Sequence, residues 1–415
     1  MRRKDMLKLY NTLGRKTEVF HPVNKKVVTI FTCGPSVYQR AHIGNFRTFL
    51  FEDILERYLE YSGFSVRRGM NFTDLEDKAI REAELRKLTL LHLTGKNIKH
   101  FLHEMKLLCM KIPDYLPKAS ESVHESVKII ERLLEKGIAY RHKGNVYFDP
   151  LKFQGFGKLY GLDMSRWPAR KKRFHKDTYP GVQWNLGDFI LWHGYNPGES
   201  YYWDTVIGKG RPSWNVQDPG MVVRYFDETL SVYCGGIDNL YRHHDYNLAI
   251  LESFRPYPMA RYWLHCNHLY VDGRKMSKSK GNILYIDDLK KQGYNRSEIR
   301  FFLIYGNYRE RMNYSDENMR ASANKLRGLQ KTVKQIEKAL KKKPSSSLSG
   351  KSVHSYDRLK RIFIKHMDNN LNVKDTVDGI CEIISGIRID ELNHAEASEI
   401  IKSLKDIDEV LKVIF

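Results

Sequence analysis

His42-Ile43-Gly44-Asn45 comes shortly after the run Val27-Val28-Thr29-Ile30-Phe31-Thr32-Cys33. That run is apolar and rich in β-branched residues, long enough for a buried central strand. Gly34 and Pro35 break it. Past Asn45 the period changes, with Phe51, Ile54, Leu55, Tyr58 and Leu59 recurring at helical spacing. His42 and Asn45 are therefore expected where a parallel strand gives way to a helix, at the carboxyl edge of a sheet. Open α/β folds bind their ligands at that edge. A helix N-terminus there offers N–H groups and a positive dipole end to a phosphate.

A second stretch, Lys275-Met276-Ser277-Lys278-Ser279, is followed by Lys280-Gly281-Asn282. Two lysines and two serines on a loop suit the neutralisation of a leaving pyrophosphate. Taken in order, the two stretches resemble the HIGH and KMSKS signatures of class I aminoacyl-tRNA synthetases.

Gly63 closes the first helix, and Phe64-Ser65-Val66-Arg67-Arg68 opens a second extended run before Asn71-Phe72-Thr73-Asp74-Leu75-Glu76-Asp77-Lys78. With these residues the resemblance narrows to the cysteinyl-tRNA synthetases. Gly144–Asp149, Asp188–Trp192, Gly210–Trp214, Gly235-Gly236-Ile237-Asp238 with His243-His244, and Asn307–Ser315 are also similar to family segments. The resemblance implies an α/β fold: a Rossmann-like class I catalytic domain, an inserted connective region and a C-terminal helical bundle. The expected division is 1–82 and 221–314 for the two halves of the nucleotide-binding domain, 83–220 for the insertion and 315–415 for a bundle of tRNA-binding type. Residues from roughly 83 to 143 read as amphipathic helices. Lys341–Gly350 reads as a solvated loop. Phe363–Asn372 resembles a family segment in the bundle.

Composition sets bounds on the rest. The 415 residues carry 70 Lys+Arg against 49 Asp+Glu, a net charge of +21 that favours a polyanionic partner, RNA above all. No apolar run suggests a membrane span, and the basic opening MRRKDMLKLY lacks the apolar stretch of a secretory signal. Five cysteines without a CxxC pair favour a reduced, cytoplasmic setting. A monomer is expected.

The resemblance implies ATP with Mg2+, an amino acid and tRNA as ligands. His42, Asn45, Lys275 and Lys278 would handle the ATP phosphates, with Asn45 in place of the final His of HIGH. Asparagine can still donate a hydrogen bond. Gly236 and Asp238 would take the ribose. Cys33, Trp214, Asp218, Tyr233 and His243 would form the amino-acid pocket.

The family also holds a zinc ion that binds the substrate thiolate through two Cys, a His and a Glu. A soft metal–sulfur bond separates cysteine from serine. Here Cys33 and His243 match, but Asp218 stands at the second Cys and Asn247 at the Glu. Asn215 and Tyr233-Cys234 also stand where the family has His and His-Gly. Cys33, Asp218 and His243 remain as three potential ligands, and Cys234 is a candidate replacement thiolate. The reading adopted is that tight zinc binding is lost. The chain also stops at Val413-Ile414-Phe415, read as lying within the bundle's last helix, before the family's anticodon-reading tail. The leading expectation is a cysteine–tRNA ligase. The alternatives are a paralogue using another amino acid or a small amine acceptor, and a non-catalytic RNA-binding relic.

Overall fold

The structure is a computed structural model that describes residues 6–163, 188–277, 280–340 and 350–415, with 350–356 as backbone only. Its centre is a parallel sheet of four strands in the order Ala260–Cys266, Leu230–Gly236, Val27–Thr32, Ser65–Met70. The strand order reverses between Val27–Thr32 and Leu230–Gly236, so the chain leaves those two neighbours in opposite directions. A crevice opens at their carboxyl ends, the usual ligand site of such sheets.

Alternation along the strands divides the interior into two cores. Val28, Ile30, Val232 and Cys234 face the helix Ile43–Tyr61 and the C-terminal helices. Phe31, Leu230 and Tyr233 face Val123–Glu135, Trp214–Tyr225 and Asp245–Phe254. The helix Ile43–Tyr61 is tied in by a buried acid, Asp53, which meets Arg300 at 2.7 Å and Arg57 at 3.0 Å. Burial pushes its carboxyl up, but the arginines outweigh burial and hold it below the usual carboxylate range.

Between the second and third strands the chain forms the helices Asp77–Leu85, Leu90–Leu107 and Val123–Glu135. The helical reading of 83 to 143 fails at its end. Ala139–His142 is a strand that pairs antiparallel with Asn145–Phe148. Lys143 and Gly144 turn the hairpin at φ 47° and 80°, the left-handed conformation that two-residue turns require. Phe189–Gly194 and Gly210–Pro212 complete this antiparallel sheet.

Past Tyr314 the described chain is helical: Asp316–Ala339, Gly350–Met367, Val373–Ser385 and His394–Leu411. The loop read at Lys341–Gly350 falls on residues 341–349, outside the described ones, with only Gly350 described, as the first residue of a helix. The segment that resembles the family in the bundle locks onto the rest of the chain. Asp368 accepts the Tyr58 hydroxyl at 2.6 Å, and Asn370 accepts Tyr10 N at 2.9 Å and the Tyr308 hydroxyl at 2.8 Å. Val413–Phe415 does not lie within the last helix, which ends at Leu411. Asp408 collects the Val413, Ile414 and Phe415 amides at 2.7, 2.8 and 3.2 Å, and this turns the final residues off the helix axis.

Candidate active site

The crevice at the strand reversal is a cleft of about 330 Å³ lined by Cys33, His42, Gly44, Asn45, Gly236, Asp238, Lys275 and Met276, among others. Six of the residues singled out from sequence therefore meet in one place: Cys33, His42, Asn45, Gly236, Asp238 and Lys275.

Chain stereochemistry accounts for the wall around Cys33. A Cβ on Gly34 would lie 1.9 Å from the Asn71 carbonyl oxygen, and Gly34 N donates to Asn71 Oδ1 at 2.7 Å. Only glycine fits against that backbone. His42 then caps the helix Ile43–Tyr61. Its Nδ1 accepts Asn45 N at 3.3 Å, while Asn45 Oδ1 accepts His42 N at 3.0 Å. This reciprocal box satisfies two backbone donors at the helix start. Asn45 fills a structural role here and also lines the cleft.

Burial lowers the His42 pKa to about 4, with Asp238 pulling weakly the other way. The ring is thus neutral near pH 7. Because Nδ1 accepts from Asn45, the proton sits on Nε2, which is a donor.

Across the cleft, Lys275 ends the short strand Arg274–Lys275, paired to Leu269–Val271. Asn282 fastens the following loop, accepting Ser277 N at 2.9 Å and donating to the Lys275 carbonyl at 3.3 Å. Lys278 lies outside the described residues. The Met276 methyl reaches Gly44, where an added Cβ would stand 2.5 Å from it. Gly236 is similarly close to Asp238, whose Oδ1 would lie 2.6 Å from such a Cβ.

Sequence reading missed other parts of the lining, including Gln39, Arg40, Asn267 and His268. Arg40 bridges Glu104 at 2.9 Å and Asp287 at 2.7 Å. No local motif marks such residues, since their partners are far away in the chain. Burial lowers the His268 pKa, with Asp238 opposing and Lys275 and Arg311 adding to the shift.

The remaining pocket residues surround Cys33. His243 follows a kink at Arg242 (φ 69°, ψ −58°), a costly conformation for a residue with a side chain. Its ring stacks on Trp214 at 4.2 Å and 8°. His243 Nε2 lies 3.5 Å from Cys33 Sγ and 3.0 Å from Asp218 Oδ2. Asp218 also accepts the Tyr233 hydroxyl on Oδ2 at 3.0 Å and Asn71 Nδ2 on Oδ1 at 2.9 Å. Asn247 Nδ2 donates to Asp218 Oδ2 at 3.5 Å and to the Tyr233 hydroxyl at 3.3 Å, and with the amide turned over it would instead donate to the carbonyls of Asn215 and His243, each at 3.2 Å. Cys234 is no replacement thiolate for this group. Strand alternation puts it in the opposite core, while its neighbour Tyr233 faces Asp218.

These residues fit a zinc ion poorly. Asp218 and Asn247 put a hard carboxylate and a neutral amide where the family has a thiolate and a carboxylate, and both Asp218 oxygens already accept hydrogen bonds. His243 Nδ1 is buried without a hydrogen-bond partner, whereas metal-bound histidines anchor that second nitrogen. Burial pushes the Cys33 thiol well up, and Asp218, Glu52 and Asp238 push it further. Cys33, His243 and His244 do offer ligand atoms within 4.8 Å of one another. His244 Nδ1 is engaged with His265 Nε2 at 2.8 Å, and its Nε2 is buried without a hydrogen-bond partner.

A family model described as the catalytic domain of class I (C) tRNA synthetases matches residues 19–324. A cysteine–tRNA ligase of Chlamydia pneumoniae is 37% identical over 98% of this chain and 86% of its own length. One from Chlamydia muridarum is 34% identical over 98% and 87%, and one from Leptospira interrogans is 37% identical over 80% and 70%. Among solved structures, Mycobacterium tuberculosis methionyl-tRNA synthetase in complex with methionyl-adenylate superposes with a TM-score of 0.65 at 15% identity, covering 94% of this chain and 90% of that one. A putative arginyl-tRNA synthetase from Campylobacter jejuni gives 0.62 at 10% identity, covering 95% and 94%. At those identities the two structures speak for the fold alone.

Proposed function

The chain belongs to the cysteinyl-tRNA synthetases of class I, ligases that activate an amino acid with ATP and charge tRNA, and from that premise we propose that its own amino acid is cysteine and that both steps run in the cleft at the strand reversal. The reading rests above all on the contact between Gly44 and Met276. It joins two segments remote in sequence, one rich in phosphate donors and one in lysine, over the ends of Val27–Thr32 and Leu230–Gly236.

The family uses ATP and Mg2+. In the first step the amino-acid carboxylate attacks the α-phosphate, and pyrophosphate leaves as the mixed anhydride forms. Little covalent help is needed, but charge builds on the phosphate oxygens and must be met by fixed donors. In this proposal the Nε2–H of neutral His42 and the amide of Asn45 meet those oxygens without the cost of a buried charge. Lys275 and Lys278 balance the departing pyrophosphate. Asp238 accepts from the ribose hydroxyls, and Gly236 lets the nucleotide approach the backbone. A terminal tRNA hydroxyl then attacks the carbonyl carbon of the adenylate and AMP leaves.

Residues 1–82 and 221–314 are assigned to this chemistry, 83–220 to the connective insertion and 315–415 to the tRNA side. The net charge of +21 suits that polyanion. Among the described residues no helix is long and apolar enough to cross a membrane, and the proposal places the protein in the cytoplasm as a monomer.

A second reading keeps the activation step but changes the amino acid. It is favoured by Asp218 and Asn247 at positions where the family carries Cys and Glu. Charging of tRNA with labelled cysteine, against the other standard amino acids, separates the two. Charging with cysteine alone supports the first reading, and charging with another amino acid alone supports the second.

A further inference from the structure

We propose that the amino-acid pocket of this chain works without zinc: the Asp218 carboxylate takes the metal's place as the organising group, and the substrate side chain is selected as a small neutral group. The inference rests on the reading of the cleft as an amino-acid-activating site and concerns how that site chooses its substrate.

Three positions decide the matter. A thiolate at 218 would be a strong, soft zinc ligand, whereas a carboxylate is a weaker, harder one. This carboxylate is already engaged at both oxygens by Asn71, Tyr233 and His243 at 2.9, 3.0 and 3.0 Å. With Asp218 almost fully buried, each of those hydrogen bonds offsets part of the desolvation of the charge. A carboxylate at 247 would add negative charge beside Asp218, but Asn247, whose amide lies 3.5 Å from Asp218 Oδ2, adds none. His243, the third, is held by its proton on Asp218 and by its face on Trp214.

The pocket end is therefore closed by hydrogen bonds and stacking. The family's organising histidine is retained, but its nitrogen faces a carboxylate. Tyr233 serves as the donor that makes the exchange workable. A zinc-holding pocket has no need of a hydroxyl aimed at the second ligand position, whereas a buried aspartate does.

Two consequences follow for the substrate. A side chain entering beside Cys33 and Asn239, which line the cleft, meets a cysteine sulfur and an amide instead of a Lewis acid. Discrimination between a thiol and a hydroxyl then rests on size and hydrogen bonding, which give roughly 100-fold for such near-isosteres, far less than a metal–thiolate bond gives.

The test is a zinc measurement on the purified native chain, expressed with added zinc and dialysed, beside the double variant Asp218→Cys, Asn247→Glu. The expected result is below about 0.1 zinc per native chain and close to one in the variant, since the substitutions restore the family's ligand types on the same elements. About one zinc per native chain overturns the proposal. Should the variant fail to fold, as judged by its thermal melt, the native count still decides. In parallel, cysteine-dependent ATP–pyrophosphate exchange by the native chain should survive prolonged incubation with a strong zinc chelator, and serine should support exchange at a kcat/KM within about 100-fold of cysteine. Loss of exchange on chelation, restored by zinc, also overturns it. Exchange with no amino acid at all would instead defeat the reading of the cleft and leave the zinc count to stand on its own.

Discussion

A Cβ placed on Gly44 would lie 2.5 Å from the methyl of Met276 and 3.1 Å from the His42 ring. The first turn of the helix Ile43–Tyr61 and the lysine-bearing loop thus share one atom's width of space, and glycine is what leaves room for both.

Gly44→Ala should therefore disturb chemistry more than stability. The Met276 methyl is the far end of a flexible side chain and can move, so we expect a loss of stability of less than about 1 kcal/mol. The loop moves with it, and amino-acid-dependent exchange should fall about tenfold or more, because positioning dominates this kind of step. A thermal melt beside the exchange rate checks both halves.

Gly34→Ala should behave in the opposite way. The added methyl would meet the Asn71 carbonyl oxygen at 1.9 Å, and backbone cannot step aside as a methionine can. A loss of about 3 kcal/mol or more is expected, read as a large drop in melting temperature or as insoluble protein. A melt within a degree or two of native would contradict the packing described.

Asn45→Ala removes the reciprocal cap on His42. Capping losses run to about 1 kcal/mol, and the same change deletes an amide donor from the cleft. Stability should fall by that amount and exchange by at least tenfold. Asn45→Asp should keep the cap oxygen but oppose phosphate, recovering the melt without the activity.

His42 gives the pH prediction. Burial holds its pKa near 4 in the folded chain, against about 6.5 when unfolded. The unfolded state therefore binds the extra proton between those values. His42 contributes its full stabilisation above pH 6.5 and loses it as the pH falls towards 4. The stability difference between native and His42→Gln protein should shrink over that window. By NMR the His42 ring should titrate near 4, and a midpoint near 6.5 would contradict the buried, neutral donor.

Much of this site was legible in the chain because its chemistry is carried by local patterns. The switch from a strand period before Cys33 to a helix period after Asn45 located the crevice, and the lysine motif located its opposite wall. The role of Asn45 as a cap was not legible, since an asparagine three residues after a histidine announces nothing until the helix forms. Arg40 and His268 were missed for a related reason, as their partners Glu104, Asp287 and Asp238 are distant in sequence. The direction of Cys234 was settled only by the register of its strand, in which it pairs beside Thr32 and its side chain turns away from Cys33. The hairpin at Lys143-Gly144 was hidden by a preceding helical pattern that ends only a few residues earlier.

The most direct test of the account is cysteine-dependent ATP–pyrophosphate exchange in the native chain and in Lys278→Ala, assayed side by side. The account predicts robust exchange in the native protein and a fall of at least 100-fold in the variant, with the melt unchanged, because that lysine acts on charge developing at the phosphates. Equal exchange in the two proteins, or none in either, would contradict it.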